Sequence, residues 1–414
     1  MSIARWIVSL LTLCGLMVLA WYSVLLARAD ISSRENNLAA LRAAVELVPA
    51  NAAYHALLAE HLEAAGANPD RELEVATSLS PYESRYWIRR GFRAELEQKF
   101  DESERYLLEA YQVDRGFDPR SALMNYYFRR GKLPQFWKST REALDMSYGN
   151  LDPIFRLCIA ASDNPAIIRQ ALPPRRDILF DFFTYLITHG QGESAASIAR
   201  ELATSAQPEE VDILLNYCGA QLVHHNGGSS LIVWNALCTR RLIPFAELSP
   251  SLGRIVTNGD FAALPLQRGY DWRYGSDAGV AVGPMDAAEG LAIDLNGKQP
   301  DGISLISQEI PLSPGKLYTI KYDYRLAGGS GDSGLHWVVQ GPRSDAREGN
   351  ELMAISPVLA AQDWDNGTVT FSSGQRDSAS LVLEYRRMLG TVRWSGKAQI
   401  RRVISSLSPL GSDK

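Results

Sequence analysis

Cysteine is scarce, with four residues in 414. A disulfide scaffold is therefore excluded. Histidine is nearly as scarce at six residues, and no Cys, Asp or Glu stands at ligand spacing beside the adjacent pair His224-His225. Two neighbouring side chains on a helix diverge, so no metal site is expected there. A basic excess is missing as well: 42 Lys and Arg face 47 Asp and Glu, for a net charge of -5. That balance argues against nucleic acid as a partner. No phosphate-cradling glycine loop, HExxH or CxxC occurs, so the familiar motifs of cofactor and metal chemistry are absent and no cofactor is expected. Long apolar runs are also lacking, with one exception at the start of the chain.

That exception runs from Trp6 to Leu26, 21 residues without a charge. At about 1.5 Å per residue it spans roughly 30 Å, the thickness of a bilayer core. Trp6, Trp21 and Tyr22 sit toward its ends, where amphipathic rings suit the interface, and Arg5 and Arg28 bracket it. Two readings compete. One is a membrane anchor within residues 1–29. The other is a cleaved signal, for which Ala27-Arg28-Ala29 has the small-x-small form; the apolar run is longer than a signal core, which favours the anchor. One Arg precedes the span while Arg28, Arg34 and Arg42 follow it, so the charge count does not favour a cytoplasmic N-terminus.

Residues 31–245 carry helical periodicity interrupted by short breakers, among them Pro49-Ala50-Asn51, Gly66-Ala67-Asn68-Pro69, Ser80-Pro81, Gly131 and Gly149. The spacing predicts an array of helical hairpins. A unit begun at Ser84 places Trp87, Gly91, Leu107 and Ala110 at its fourth, eighth, twenty-fourth and twenty-seventh positions. Leu41, Ala44 and Pro49 fit the end of an earlier unit, and Tyr127, Gly131 and Ala143 fit a later one. This pattern resembles the 34-residue tetratricopeptide repeat over about residues 35–148 and weakly to 245. Small residues at Gly91 and Ala110 let paired helices approach closely. The dense aromatic series Tyr82 to Trp137 is either inter-helix core or a concave peptide surface. Arg89, Arg90, Arg93, Arg129 and Arg130 are either a solvated face or a basic stripe that receives a carboxylate-bearing protein partner.

Periodicity changes near Gly253. Short alternating runs predict nine or more strands over residues 253–410, including Arg254–Thr257, Leu317–Leu326, Leu335–Gln340, Leu381–Arg387 and Thr391–Trp394. The spacing suits an antiparallel sandwich or jelly roll. The opening Asn258-Gly259-Asp260-Phe261 followed by Gly269-Tyr270-Asp271-Trp272 resembles the carbohydrate-binding jelly rolls appended to bacterial glycoside hydrolases. The resemblance implies a glycan-binding module. Ala262 departs from its pattern, and Arg401 and Arg402 stand where an acidic residue would serve structural calcium, so no metal is expected here either, since Arg cannot coordinate a cation.

Alternation sorts this module by face. It predicts one polar face carrying Asp294, Lys321, Asp323, Arg325, His336, Gln340, Glu384 and Arg386 together, with Trp272, Tyr274 and Trp364 as candidate planes for a sugar ring. The same face reads equally as a solvated sheet surface. The segment Gly331-Asp332-Ser333-Gly334 copies four residues of the nucleophile motif of trypsin-like serine proteases, but no matching His segment lies upstream, and a loop turn is expected.

The expectation is a multidomain chain: an N-terminal transmembrane helix, an all-α tetratricopeptide-like solenoid and an all-β jelly-roll sandwich. Its expected role is a non-enzymatic adaptor, single-pass in the cell membrane with its body periplasmic or extracellular. The membrane holds residues 6–26, the stripe Arg89, Arg90, Arg93, Arg129 and Arg130 holds a protein partner, and a polysaccharide binds through Trp272, Asp323, Arg325, His336, Gln340, Glu384 and Arg386. A setting in surface polysaccharide assembly or export is inferred from the two resemblances. The alternatives are a purely structural interaction scaffold and, third, a polysaccharide-active enzyme.

Overall fold

The computed structural model describes all residues except 1–2, 36, 225, 286–289, 330–331, 343–349 and 409–414. His225 and Gly331 therefore lie outside the described residues. The chain forms fourteen α-helices followed by ten β-strands among the described residues, the fold class expected from the sequence. It divides into two compact units, Met1–Asp181 and Phe182–Lys414.

The first unit opens with α1 (Ile3–Arg34), about 48 Å long at 1.5 Å per residue. From Trp6 this helix is long and apolar enough to cross a membrane, and its apolar window is wholly exposed. The following helices are α2 (Leu38–Leu47), α3 (Ala52–Ala64), α4 (Asp70–Leu79), α5 (Ser84–Leu96), α6 (Phe100–Val113), α7 (Phe117–Arg129), α8 (Leu133–Asp145), α9 (Asp152–Ala161) and α10 (Pro165–Ala171). Local chemistry sets their ends. Asn37 and Asn51 cap α2 and α3 by accepting from Ala40 N and Ala53 N, satisfying donors that a helix start leaves open. Gly131 follows α7 at φ +63°, a left-handed conformation that costs glycine nothing.

Packing is pairwise: α1 with α2, α3 with α4, α5 with α6 and α7 with α8. The unit begun at Ser84 in the sequence is the α5–α6 pair. A Cβ built on Gly91 would stand 2.7 Å from both Cγ and Cδ2 of Leu107, so only glycine fits this crossing without movement. Ala110 and Leu107 are fully buried. The end of α1 belongs to the same array. Ala29 is fully buried with Ala44, Val48 and Tyr54, and Leu25 and Leu26 pack against them. The apolar helix thus continues without a break into the first hairpin.

Helix α11 (Arg176–Thr188) contains the division between units, and α12 (Ala196–Thr204), α13 (Val211–Val223) and α14 (Gly227–Thr239) lie in the second unit. The change of secondary structure near Gly253 is not where the contacts divide. The reason is that α14 is packed into the β region: Tyr270 Oη donates to Gly227 O at 2.9 Å, and Trp234 stacks on Phe245 with Tyr270 edge-on.

The strands are β1 (Arg273–Tyr274), β2 (Val280–Pro284), β3 (Leu291–Asn296), β4 (Gly302–Pro311), β5 (Leu317–Ala327), β6 (Leu335–Pro342), β7 (Asn350–Ile355), β8 (Asp365–Ser372), β9 (Ser378–Arg386) and β10 (Ser395–Leu407). They form two five-stranded sheets, β1-β4-β9-β6-β7 and β2-β3-β10-β5-β8, with every neighbouring pair of strands antiparallel among the described residues. The inward residues of both make one core, including Trp272, Tyr318, Ile320, Tyr322, Trp337 and Leu383. Two expected strands are absent. Arg254–Thr257 makes only a bridge from Arg254 to Ser249, because the Thr257 backbone pairs with the side chain of Gln308 at 3.0 and 2.8 Å. Thr391–Trp394 is a loop, and β10 starts one residue later.

Candidate functional site

Strand β5 fixes the geometry. Its alternation puts Tyr318, Ile320, Tyr322, Tyr324 and Leu326 in the core and Thr319, Lys321, Asp323 and Arg325 on the outer face, since successive side chains of a strand point to opposite sides. Neighbouring β10 sets Gln399 opposite Arg325 and Arg401 opposite Asp323. On the other side β8 sets Asn366 opposite Asp323 and Thr368 opposite Lys321. The side chains interlock. Arg325 Nε donates to Gln399 Oε1. Asp323 Oδ2 accepts from Arg401 Nε at 3.3 Å and Arg402 Nε at 2.7 Å.

Trp364, half-buried just before β8, lies beside this row. Arg401 Cζ stands 3.9 Å from its ring centre and Arg325 Cζ 4.8 Å. These are cation–π distances. Of the three aromatic planes expected, Trp364 alone is at this face. Trp272 must be corrected: it is fully buried in the core, with Phe261 and Trp337 rings at 5.2 and 6.0 Å and its Nε1 donating to Asn258 O at 3.0 Å. A ring enclosed on every side has no plane to offer a sugar. Tyr274 pairs with Ile306 on the inner side and packs against the core; burial pushes its hydroxyl up to about 12. Beside Trp272, burial likewise pushes the Asp271 carboxyl up to about 6.

The expected single polar face is in fact two. Asp294, Lys321, Asp323 and Arg325 belong to the β2-β3-β10-β5-β8 sheet, while His336, Gln340, Glu384 and Arg386 belong to the other. Alternation assigns a side chain to inside or outside but says nothing about which sheet its strand joins. On the second sheet His336 is buried and its Nε2 lies 2.7 Å from Glu384 Oε1, which also pairs with Arg386 at 3.0 Å. Gln340 lines a separate cavity of about 300 Å³ with Arg273, Leu222 and Ser380. Ser333 lies in the loop just before β6, its Oγ donating to Leu359 O at 2.5 Å.

The arginines of the stripe already have partners within the first unit. Arg89 pairs with Glu60 at 2.7 Å, Arg93 with Asp70 and Glu97, and Arg129 with Glu95. Arg90 lies over Tyr106 at 4.3 Å and Arg130 over Phe100 at 3.6 Å. The carboxylates come from the chain itself. Arg90 and Arg93 line a cavity of about 160 Å³ together with Asp70, Glu97 and Lys99.

Sequence reasoning missed Gln399 as a member of the face and took Arg401 and Arg402 only as replaced metal ligands. The alternation Lys397, Gln399, Arg401 was the available signal. The register shift between Arg401 and Ile404 obscured it, because a bulge brings Arg402 to the same side as Arg401. Among the described residues no group of His, Cys, Asp and Glu is placed to hold a metal ion. All four cysteines are free, and burial pushes the Cys158, Cys218 and Cys238 thiols up to about 12.

No protein-family model and no curated protein matches the sequence. Solved structures similar to parts of the chain fall into two kinds. A family 4 carbohydrate-binding module covers 37% of this chain and 99% of its own at 16% identity and a TM-score of 0.29. Pseudomonas aeruginosa pilF covers 44% of this chain and 89% of its own at 18% identity and a TM-score of 0.29. YrrB, a tetratricopeptide-repeat protein with an unusual peptide-binding site, covers 49% of this chain and 92% of its own at 17% identity and a TM-score of 0.22.

Proposed function

We propose that the chain is a non-enzymatic, membrane-anchored adaptor whose helical unit engages a protein partner and whose β-sandwich binds a saccharide, in the setting of surface polysaccharide assembly or export. The observation that carries the saccharide reading is the outer face of the β2-β3-β10-β5-β8 sheet. Acceptor and donor side chains stand there on neighbouring strands, Asp323, Arg325 and Lys321 on β5 and Thr368 on β8, with the Trp364 ring beside them. Hydroxyl-rich ligands need such a row together with an aromatic surface. The anchor reading rests on the exposed apolar helix from Trp6. The protein-partner reading rests on stacked hairpins, which build extended surfaces by repetition.

The test uses the full chain in nanodiscs. Binding on a glycan array, followed by calorimetry, is expected, with loss in Asp323→Ala. Binding to no glycan sinks the saccharide reading, and release by carbonate washing sinks the anchor.

A second reading is a structural scaffold whose β-sandwich docks protein. One observation favours it: the loop between β9 and β10 exposes Leu389 at 98% and Val392 at 90%, more apolar surface than a solvated turn needs. Capture of a purified partner, abolished by Leu389→Asp with Val392→Asp in a chain that binds no glycan, is the result that reading predicts.

A further inference from the structure

The proposed saccharide face carries an imbalance of charge. Three guanidiniums, from Arg325, Arg401 and Arg402, converge on one row, and a single carboxylate serves them. Asp323 takes both Arg401 and Arg402. Arg325 has no acidic partner among the described residues; its one hydrogen bond there is to the neutral Gln399. Lys321 adds a further cation on the same face of β5, exposed beside Thr368.

The position of these cations matters as much as their number. Arg325 and Arg401 both lie over Trp364, which holds their planes against an apolar ring and shields part of each from water. A guanidinium so held keeps its fork pre-arranged for a bidentate oxyanion. It also occupies the ring surface that a neutral sugar would stack on. A neutral ligand would have to displace a cation, whereas an anionic one is received by it.

Resting on the saccharide reading above, the geometry points to a saccharide with an anionic substituent, a carboxylate or sulfate on the ring, as the ligand of this face. Arg325 and Arg401 clasp the anion, Trp364 backs the two guanidiniums, and Asp323, whose Oδ2 serves Arg401 and Arg402, keeps Oδ1 to accept from a sugar hydroxyl. The ligand supplies the counter-charge that Arg325 lacks.

The experiment measures affinity of the full chain, in nanodiscs of zwitterionic lipid, for four probes: a galacturonate oligomer, its neutral methyl ester, dextran sulfate and polyacrylate. The expected order puts galacturonate or dextran sulfate at least tenfold above the ester and above polyacrylate, with affinity falling as salt is raised. Arg325→Gln and Arg401→Gln should each cost about 10- to 100-fold, the size of a lost charge-assisted bond, with an unchanged melt. Lys138→Gln, an exposed lysine of the other unit, should change nothing. Equal binding of ester and acid overturns the inference and leaves the saccharide reading standing. Polyacrylate binding as tightly as galacturonate overturns it as well, because the site then reads charge without a sugar. Binding of no probe, together with an empty glycan array, removes both.

Discussion

The hydroxyl of Tyr54 on α3 donates a hydrogen bond to Oδ1 of Asp30 on α1, across 24 residues of sequence. It ties the end of the apolar helix to α3, where Ala29 is sealed between Ala44, Val48 and Tyr54. No other segment of the sequence approaches membrane length, so the sequence alone suggests a soluble, folded body once residues 1–29 are removed; the packing predicts a loss of stability. Truncation of residues 1–23 should preserve the melt of the helical unit, since it spares Leu25, Leu26 and Ala29. Truncation of residues 1–29 should lower it by exposing that cluster, and Ala29→Leu in the full chain should cost about 1–3 kcal/mol by overpacking. Equal melts for the two truncations, followed by far-ultraviolet circular dichroism, would show that α1 contributes nothing to the fold.

Gly91 on α5 faces Leu107 on α6 with no room for a Cβ, within the repeat that the sequence identified. Glycine to alanine in a helix ordinarily gains about 1 kcal/mol. Here the added carbon meets Leu107 at 2.7 Å, so Gly91→Ala should destabilise the helical unit instead. The double variant Gly91→Ala with Leu107→Ala should be less unstable than the sum of the two singles, because the second change opens room for the first. Additive losses in urea melts would mean that the two residues do not share the contact.

Trp272 and Trp364 should separate stability from binding. Trp272→Ala empties a fully buried site and should cost about 3–5 kcal/mol, visible as loss of near-ultraviolet signal. Trp364→Ala removes a half-buried ring held by two arginines and should cost no more than about 2 kcal/mol, while weakening saccharide binding. A Trp272→Ala chain with a normal melt would place that ring outside the core.

Asp271 gives a pH signature. Burial raises its folded carboxyl to about 6, against an unfolded value near ~3.9. The folded state therefore holds more protons than the unfolded chain between these values, and stability falls as pH rises through that window. Asp271→Asn keeps an acceptor for the Leu266 N–H, which Asp271 Oδ2 meets at 2.6 Å, and cannot ionise. Relative to the Asn variant, the native chain should lose on the order of 2 kcal/mol between about pH 4 and pH 7. Parallel stability curves across that range, from denaturant melts, would exclude a buried acid that ionises.

Much of this protein was legible in the sequence because local pattern decides local structure. The charge-free run from Trp6 marked an apolar helix, the Ser84 register put the small residues Gly91 and Ala110 where paired helices approach, and the alternation of β5 put Asp323 and Arg325 outside and Tyr322 and Tyr324 inside. Each depends on residues close along the chain and on the periods 3.6 and 2. What the tertiary structure alone decided involves distant residues. Strand order split His336 and Glu384 from Asp323 and Arg325, onto different sheets. Chain closure buried Trp272 and left Trp364 beside Arg401, 37 residues later in the sequence. Folding of the helical unit supplied Glu60, Glu95 and Glu97 to arginines whose partners the sequence did not show. A periodic pattern tells each side chain whether it faces in or out, but the partner it meets depends on which segments pack together, and that is settled by the burial of the whole core.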